Sequence, residues 1–434
     1  MKSIWNGSTE IPNFQRLGGT RNTDVLIIGG GLAGVLCAYF LKQKGVDCIL
    51  AEGGKICSGT TANTTAKITF QHGLIYHKLF KKLGAEKASM YLYANQNAVE
   101  EYNKLCRNID CNYEIKDNYV YSLDDRSLLE KEINSLSKIG YKADFKNNLP
   151  LPFETVGAVK FSNQAQFNPL KFVSELCKDL NIFENTFIYE IRDNRALTDS
   201  GEINAKKIIV TTHFPFINKH GSYFLKLYQH RSYAIALENS PQINGMYVDE
   251  NKKGISFRNY GKYLILGGGS HRTGKKGGSW NEIRDAAARF YPESNEKFHW
   301  AAQDCMSLDS IPYIGHYSKR MNDLYVATGF NKWGITSSMV SAMLLSDMVV
   351  GKKPDWAEVF NPSRSIITPQ LAVNAFEATV NLLTPSTKRC PHLGCALKWN
   401  SAEHSWDCPC HGSRFSSDGI LLENPSTGNI KINR

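Results

Sequence analysis

The spacing of apolar residues changes several times along this chain. Residues 25–28 form a short apolar run that predicts a strand. Over 32–44, Leu36, Tyr39 and Phe40 share one helical face, and Gly45 stops the helix. Residues 46–51 return to a strand pattern, giving a β-α-β unit. Further on, 87–106 and 127–140 have helical spacing, and 116–125 reads as strand and turn. A buried strand over 205–216 ends at Pro215. A strand within 261–274 leads into a Gly-rich loop, and 323–351 reads as strand, loop and long helix. The stretch "GKKPDW" (351–356) punctuates a boundary, and 369–383 is again helical. Strands interleaved with helices predict an α/β chain.

At 434 residues the chain suits two or three domains. Its composition, 42% hydrophobic and 21% charged, is that of an ordinary globular protein. The most apolar long stretch, "GITSSMVSAMLLSDMVVG" (334–351), is interrupted by Ser341, Ser346 and Asp347, so it predicts a buried helix and no membrane span. The first residues have no apolar core of a secretory signal, which predicts a cytoplasmic protein. The net charge of +10 comes with short basic groups at 77–84 and 271–278. These read as solvated surface or as a docking face for an acidic redox partner. No basic stripe or stacking-aromatic signature points to nucleic acid.

Two clusters carry chemistry. Gly29, Gly31 and Gly34 form G-x-G-x-x-G between the first strand and the first helix, and Glu52 ends the next strand. In that context Gly29 turns the chain and Gly31 admits a pyrophosphate. Gly34 lets helix and strand pack closely, and the turn continues through Leu32 and Ala33. The helix N-terminus supplies N–H groups to phosphate, and Glu52 would accept hydrogen bonds from ribose hydroxyls. The second cluster lies near the other end. "CPHLGC" (390–395) and "CPCHGS" (408–413) put four Cys and two His within 24 residues. The other seven Cys are scattered singly from Cys37 to Cys305 and read as small buried apolar residues in a reducing compartment. Cys390 with His392, and Cys408 with His411, offer two thiolates and two imidazoles. That set suits a tetrahedral zinc site or a Rieske 2Fe-2S centre.

The segments "SGTTANTTAKITFQHGLIY" (58–76) and "IPYIGHYSKRMNDLYVATGFNKWGITSSMVSAMLLSDMVVG" (311–351) resemble the two ends of the FAD site in the D-amino-acid-oxidase-like flavoprotein superfamily. The resemblance covers roughly 20–360 and is strongest at both ends. It implies that Thr60, Thr61, Thr65 and Ala66 line the phosphate and flavin. It also implies that the chain returns to the ring through Gly329, Asn331, Trp333, Gly334 and Thr336, with a helix N-terminus aimed at it.

The terminal pattern C-x-H-x-G-C plus C-x-C-H-G-S is similar to both Rieske boxes. The resemblance implies that Cys390 and Cys408 ligate one iron and His392 and His411 the other. It further implies a Cys395–Cys410 disulfide, a Ser413 hydrogen bond toward the cluster, and Gly394 and Gly412 holding the loops close. Phe415 stands where many Rieske proteins have Tyr, and the lost hydroxyl implies a lower potential. The strands that usually support the boxes are not visible before Cys390. The segment 396–409 reads as a hairpin with Trp399 and Trp406 on its arms. The cluster is therefore expected to pack against the flavoprotein.

The expected architecture is a Rossmann-like FAD-binding domain with an inserted α+β substrate domain, plus a small C-terminal all-β Rieske cluster-binding subdomain. Flavoprotein residues are 1–366, with FAD-binding parts near 20–88, 155–215 and 305–352 and substrate parts near 89–154 and 216–304. A connecting helix spans 367–386 and the cluster subdomain 387–434. The expected cofactors are FAD and a 2Fe-2S cluster. A flavin takes up two electrons together and the cluster carries one, so the pair suits oxidation of an amine or amino acid with electrons passed to an external acceptor, an acidic redox protein or a quinone. This makes a dehydrogenase a better reading than an oxidase. The alternatives are an electron-transfer or redox-sensing module without substrate turnover, and a flavoprotein with structural zinc. Gln71, His72, His213 and Lys332 are candidate catalytic residues, and Arg231, Arg258 and Arg272 candidate carboxylate binders.

Overall fold

The computed structural model describes residues 2–217, 220–251 and 253–431. Its first sheet runs in the order Tyr313–Ser318, Met321–Thr328, Gly201–Val210, Gly19–Ile28, Cys48–Ala51 and Ile182–Phe183. From Met321–Thr328 to Ile182–Phe183 the neighbours are parallel. Parallel strands are covered on both faces, which is why Val25 to Ile28 are all buried. The helices Leu32–Gln43 and Gly334–Val349 pack together beneath this sheet and are apolar on nearly every side.

A second, mostly antiparallel sheet runs Asn295–Ser307, Leu227–Glu238, Tyr263–Arg272, Ser256–Tyr260, Met246–Asp249, Glu114–Ser122, Gly157–Gln166 and Lys67–Ile68. One face packs on the helix Ser279–Phe290, through Trp280 and Ile283 against Tyr233, Leu264 and Leu266. The opposite face, with Ala234, Ala236, Ile265 and Trp300, joins the core beneath the first sheet. The expected Gly-rich loop after residue 266 is instead strand. Gly267 and Gly268 lie opposite Ala234 and Tyr233, and Ser256 flanks Gly267 on the other side, so neighbours on both edges hold the backbone extended. The helical pattern expected from residue 87 begins earlier, in Tyr76–Cys106, with an interruption at Gly84.

The chain ends in a third sheet, ordered Lys398–Asn400, Ser405–Asp407, Arg414–Ser416 and Leu421–Glu423. Each strand has three residues, too few to form a stable layer alone. Trp399 faces Trp406 across the first hairpin, with ring centroids 5.0 Å apart. The buried apolar residues inside are Cys390, Cys395, Leu397, Cys408, Cys410, Phe415 and Ile430. No described helix is long and apolar enough to cross a membrane.

Candidate functional site

The glycine loop sits where the first strand ends and the Leu32–Gln43 helix begins. A Cβ at Gly34 would lie 2.0 Å from the Gly29 carbonyl oxygen, so helix and loop touch through bare backbone. The helix start has no side-chain cap and no acid in its first turn, which fits an approaching phosphate. Thr61 Oγ1 accepts from Leu32 N at 3.0 Å and ties residues 60–63 to that start. The Glu52 carboxylate accepts from Gly30 N at 2.6 Å and Gly54 N at 2.7 Å. Burial raises its pKa, and these two N–H groups oppose the rise.

The far end of the same site is assembled from distant sequence. Thr336 Oγ1 donates to Thr69 O at 2.7 Å, which ties the Gly334–Val349 helix start to the segment after Ala66. Trp333 stacks on His72, centroids 5.0 Å apart. Asn331 bridges Gly329 O and Ser307 Oγ, bracing the 329–334 loop on the second sheet. Thr60 Oγ1 donates to Gln303 O at 3.4 Å, and Thr65 Oγ1 accepts from Lys67 Nζ at 3.1 Å. The chain thus brings together residues 29–34, 52, 60–66 and 329–336.

The candidate catalytic residues occupy varied settings. Gln71 donates to Val159 O and accepts from Asn118, both at 2.8 Å, so its amide is committed at each end. His72 bonds Tyr91 Oη at 2.7 Å and Thr69 O at 2.9 Å, and burial lowers its pKa to about 3, which keeps it neutral. His213 is partly buried with φ of 65°, and its carbonyl accepts from Thr328. Lys332 Nζ donates to Ser270 Oγ.

The three arginines part company. Arg231 pairs with Glu403 and, at 3.0 Å, with Glu423. Arg272 donates to Pro409 O at 3.1 Å and Cys410 O at 3.3 Å. Both therefore bind the terminal module, which corrects their reading as substrate ligands and turns part of the 271–278 basic group inward. Arg258 alone of the three faces the apolar core, beside Trp5 and Tyr260. It is fully buried, none of its guanidinium nitrogens has a hydrogen-bond partner among the described residues, and it lies 5.4 Å from the Trp5 ring centroid. Burial lowers its pKa to about 9. Sequence reasoning passed over its neighbour Lys67, whose pKa burial and the Arg258 charge lower to about 7. A lysine between apolar Ala66 and Ile68 was the available signal.

The two terminal loops have one shape. Gly394 N donates to Cys390 O and Gly412 N to Cys408 O, each at 2.9 Å. Both glycines have positive φ, 77° and 84°. A disulfide joins Cys395 to Cys410. The Cys390 and Cys408 thiols contact each other. That contact lowers the Cys390 pKa to about 7 despite burial, helped by Ser413 and the N–H groups of His392 and Leu393. The His392 and His411 rings lie 4.9 Å apart. His411 Nδ1 is buried with no hydrogen-bond partner among the described residues. Two adjacent thiols beside two adjacent imidazoles fit a 2Fe-2S cluster ligated by two Cys and two His. Although Cys395, Cys408 and Cys410 offer sulfurs within 4.8 Å of one another, the disulfide removes two of them as ligands.

The module rests directly on the second sheet. Gln229 Nε2 donates to His411 O at 3.0 Å, and Gln303 Nε2 donates to Gly412 O at 2.8 Å. A Cβ on Gly412 would lie 2.6 Å from Gln229 Cβ, so this approach needs glycine. Asn424 Nδ2 donates to Thr212 O and Phe214 O at 2.6 and 2.7 Å. Phe214 faces the His392 and His411 rings. Arg231 and Arg414 share Glu403 and Glu423, and Arg414 also holds Asp407 at 3.0 Å. These charges lower the Glu403 pKa to about 2 against the effect of burial. Gln229, Gln303 and Glu403 carry no mark in the sequence, because they act through neighbours far along the chain.

A β-α-β cofactor loop closed by a late helix, with a paired-ligand module on its second sheet, defines a two-cofactor flavoprotein. The chain belongs to the FAD dependent oxidoreductase family, which it matches over residues 24–348, and it matches the Rieske 2Fe-2S domain over 376–433. FAD and a 2Fe-2S cluster are its cofactors. It is 32% identical to YhfW of Bacillus subtilis, named as a Rieske 2Fe-2S iron-sulfur protein, over 99% of this chain and 97% of that one. It is similar in fold to L-proline dehydrogenase from P. horikoshii, with a TM-score of 0.67 and 17% identity over 80% of this chain and 98% of that one. Glycine oxidase from Geobacillus kaustophilus gives 0.66 and 18% over 80% and 100%.

Proposed function

We propose that this oxidoreductase works as a dehydrogenase, taking electrons from a small amine or amino acid and sending them through its terminal cluster to an external acceptor. When bound, FAD supplies the two-electron acceptor and the 2Fe-2S cluster a one-electron carrier. The carrying observation is the orientation of the module. His411 is buried against the flavoprotein, with Gly412 bonded to Gln303, whose own carbonyl accepts from Thr60 on the cofactor side. His392 is partly exposed. The buried edge suits electron entry and the outer edge electron exit. The test is anaerobic reduction of the holoprotein by substrate, followed by EPR. The cluster signal of the reduced state should grow as flavin absorbance bleaches. A cluster that stays oxidised beside fully bleached flavin would overturn the relay.

Arg258 and Lys67 support a carboxylate-bearing substrate, since neither forms an ion pair among the described residues. The names of the fold neighbours make proline and glycine the first compounds to try. Lys67 is charged below about pH 7. Carboxylate binding should therefore weaken as pH rises through about 7, with kcat/KM falling on that limb. Lys67→Met should flatten the limb, and Arg258→Lys should raise KM for amino acids more than for simple amines.

A further inference from the structure

The helix Pro369–Leu383 is amphipathic in the unusual sense. Its buried residues are the polar Asn374 and Asn381. Asn374 accepts from Arg272 at 3.0 Å and donates to Leu225 O at 3.4 Å, and Asn381 O accepts from Ala396 N at 2.9 Å. Outward stand Val373, Phe376, Val380 and Leu383, spaced three, four and three residues apart in one stripe. Phe376 is 67% exposed and Leu383 76%. Ile367 before the helix, Leu382 at its end and Leu393 beyond it are exposed as well. Leu393 directly follows the cluster ligand His392. Single exposed apolar residues need no explanation, but a continuous stripe does.

The neighbouring sequence carries a net positive charge. Glu377 is the helix's only charged residue and pairs with Lys275 at 2.7 Å. From 367 to 398 the other charged residues are Lys388, Arg389 and Lys398, and Lys276 follows Lys275. Arg389 hydrogen-bonds Leu382 O and Thr384 O at the helix end.

We propose that this face lies on the surface of an anionic lipid bilayer. The stripe enters the boundary between headgroups and acyl chains, and the basic rim meets the headgroups. A second copy on the same face would set basic rim against basic rim. An acidic protein would match the rim but not the uncharged centre. A bilayer with anionic headgroups matches both.

The full-length holoprotein should co-sediment with vesicles of phosphatidylcholine mixed with phosphatidylglycerol, less with pure phosphatidylcholine, and less at high salt. Phe376→Ser with Leu383→Ser should weaken partitioning at least about tenfold. Both side chains are exposed, so flavin absorbance and cluster EPR should persist in that variant. No sedimentation of the wild type with mixed vesicles would overturn the proposal. So would a wild-type dimer in solution that the double variant splits, since a second copy would then cover the face. Failure of the relay would show in flavin-to-cluster electron transfer and leave vesicle binding unchanged.

Discussion

The two cofactor sites are built by opposite means. At the glycine loop bare backbone is exposed at a helix start, and the loop is carried by a parallel sheet and two buried helices. At the chain terminus thiol and imidazole side chains gather, and the carrier is four strands of three residues around a core containing four cysteines. The first site rests on the protein's main core. The second rests on its cluster, its disulfide and the sheet supplied by the flavoprotein. A complete ligand motif therefore need not mark an independent folding unit.

The largest expected break in this contrast comes from Cys408→Ser. Iron and labile sulfide should be lost entirely, and the strands after residue 397 should lose hydrogen-exchange protection. Flavin should stay at full stoichiometry, because its loop has its own core. Loss of flavin as well would show the two sites to be one folding unit. Next comes Glu403→Gln, which leaves Arg231 and Arg414 buried with one anion fewer. Breaking such a network costs about 3–5 kcal/mol. In a denaturant titration, cluster absorbance should disappear well before flavin is released.

Gln303→Leu should act more gently. It removes the hydrogen bond of about 1 kcal/mol between the sheet and Gly412, together with the one Gln303 accepts from Thr273. Rapid-mixing kinetics should show cluster reduction by flavin slowed roughly fivefold, with both potentials unchanged. The smallest effect belongs to Phe415→Tyr. Phe415 is buried among the cluster cysteines. A hydroxyl donating to a ligand sulfur stabilises the reduced, more negative cluster, so the potential should rise. About 1 kcal/mol corresponds to about 40 mV for one electron. Redox titration followed by EPR would show it, and an unchanged potential would mean that the hydroxyl does not reach a sulfur.

Much of this was legible in the sequence because it depends on local spacing. The glycine loop needs three glycines between a strand and a helix. The terminal boxes need fixed intervals between Cys, His and Gly, and each loop's own hydrogen bonds follow from them. The hairpin with Trp399 facing Trp406 also follows from alternation over a few residues. Less legible was the extended state of Gly267 and Gly268, which strands on both sides enforce.

By itself, then, the sequence determined the two cofactors and the spacing of the Cys and His boxes, because those choices are made within a few residues of chain. Only the tertiary structure decided the rest. It gave Arg231 and Arg272 to the terminal module and left Arg258 in the core with no hydrogen-bond partner among the described residues. It turned His411 inward and left His392 partly exposed. It also set the polar side of the Pro369–Leu383 helix inward. A periodic pattern tells that a helix has two faces, but which face is covered depends on what the rest of the chain brings against it.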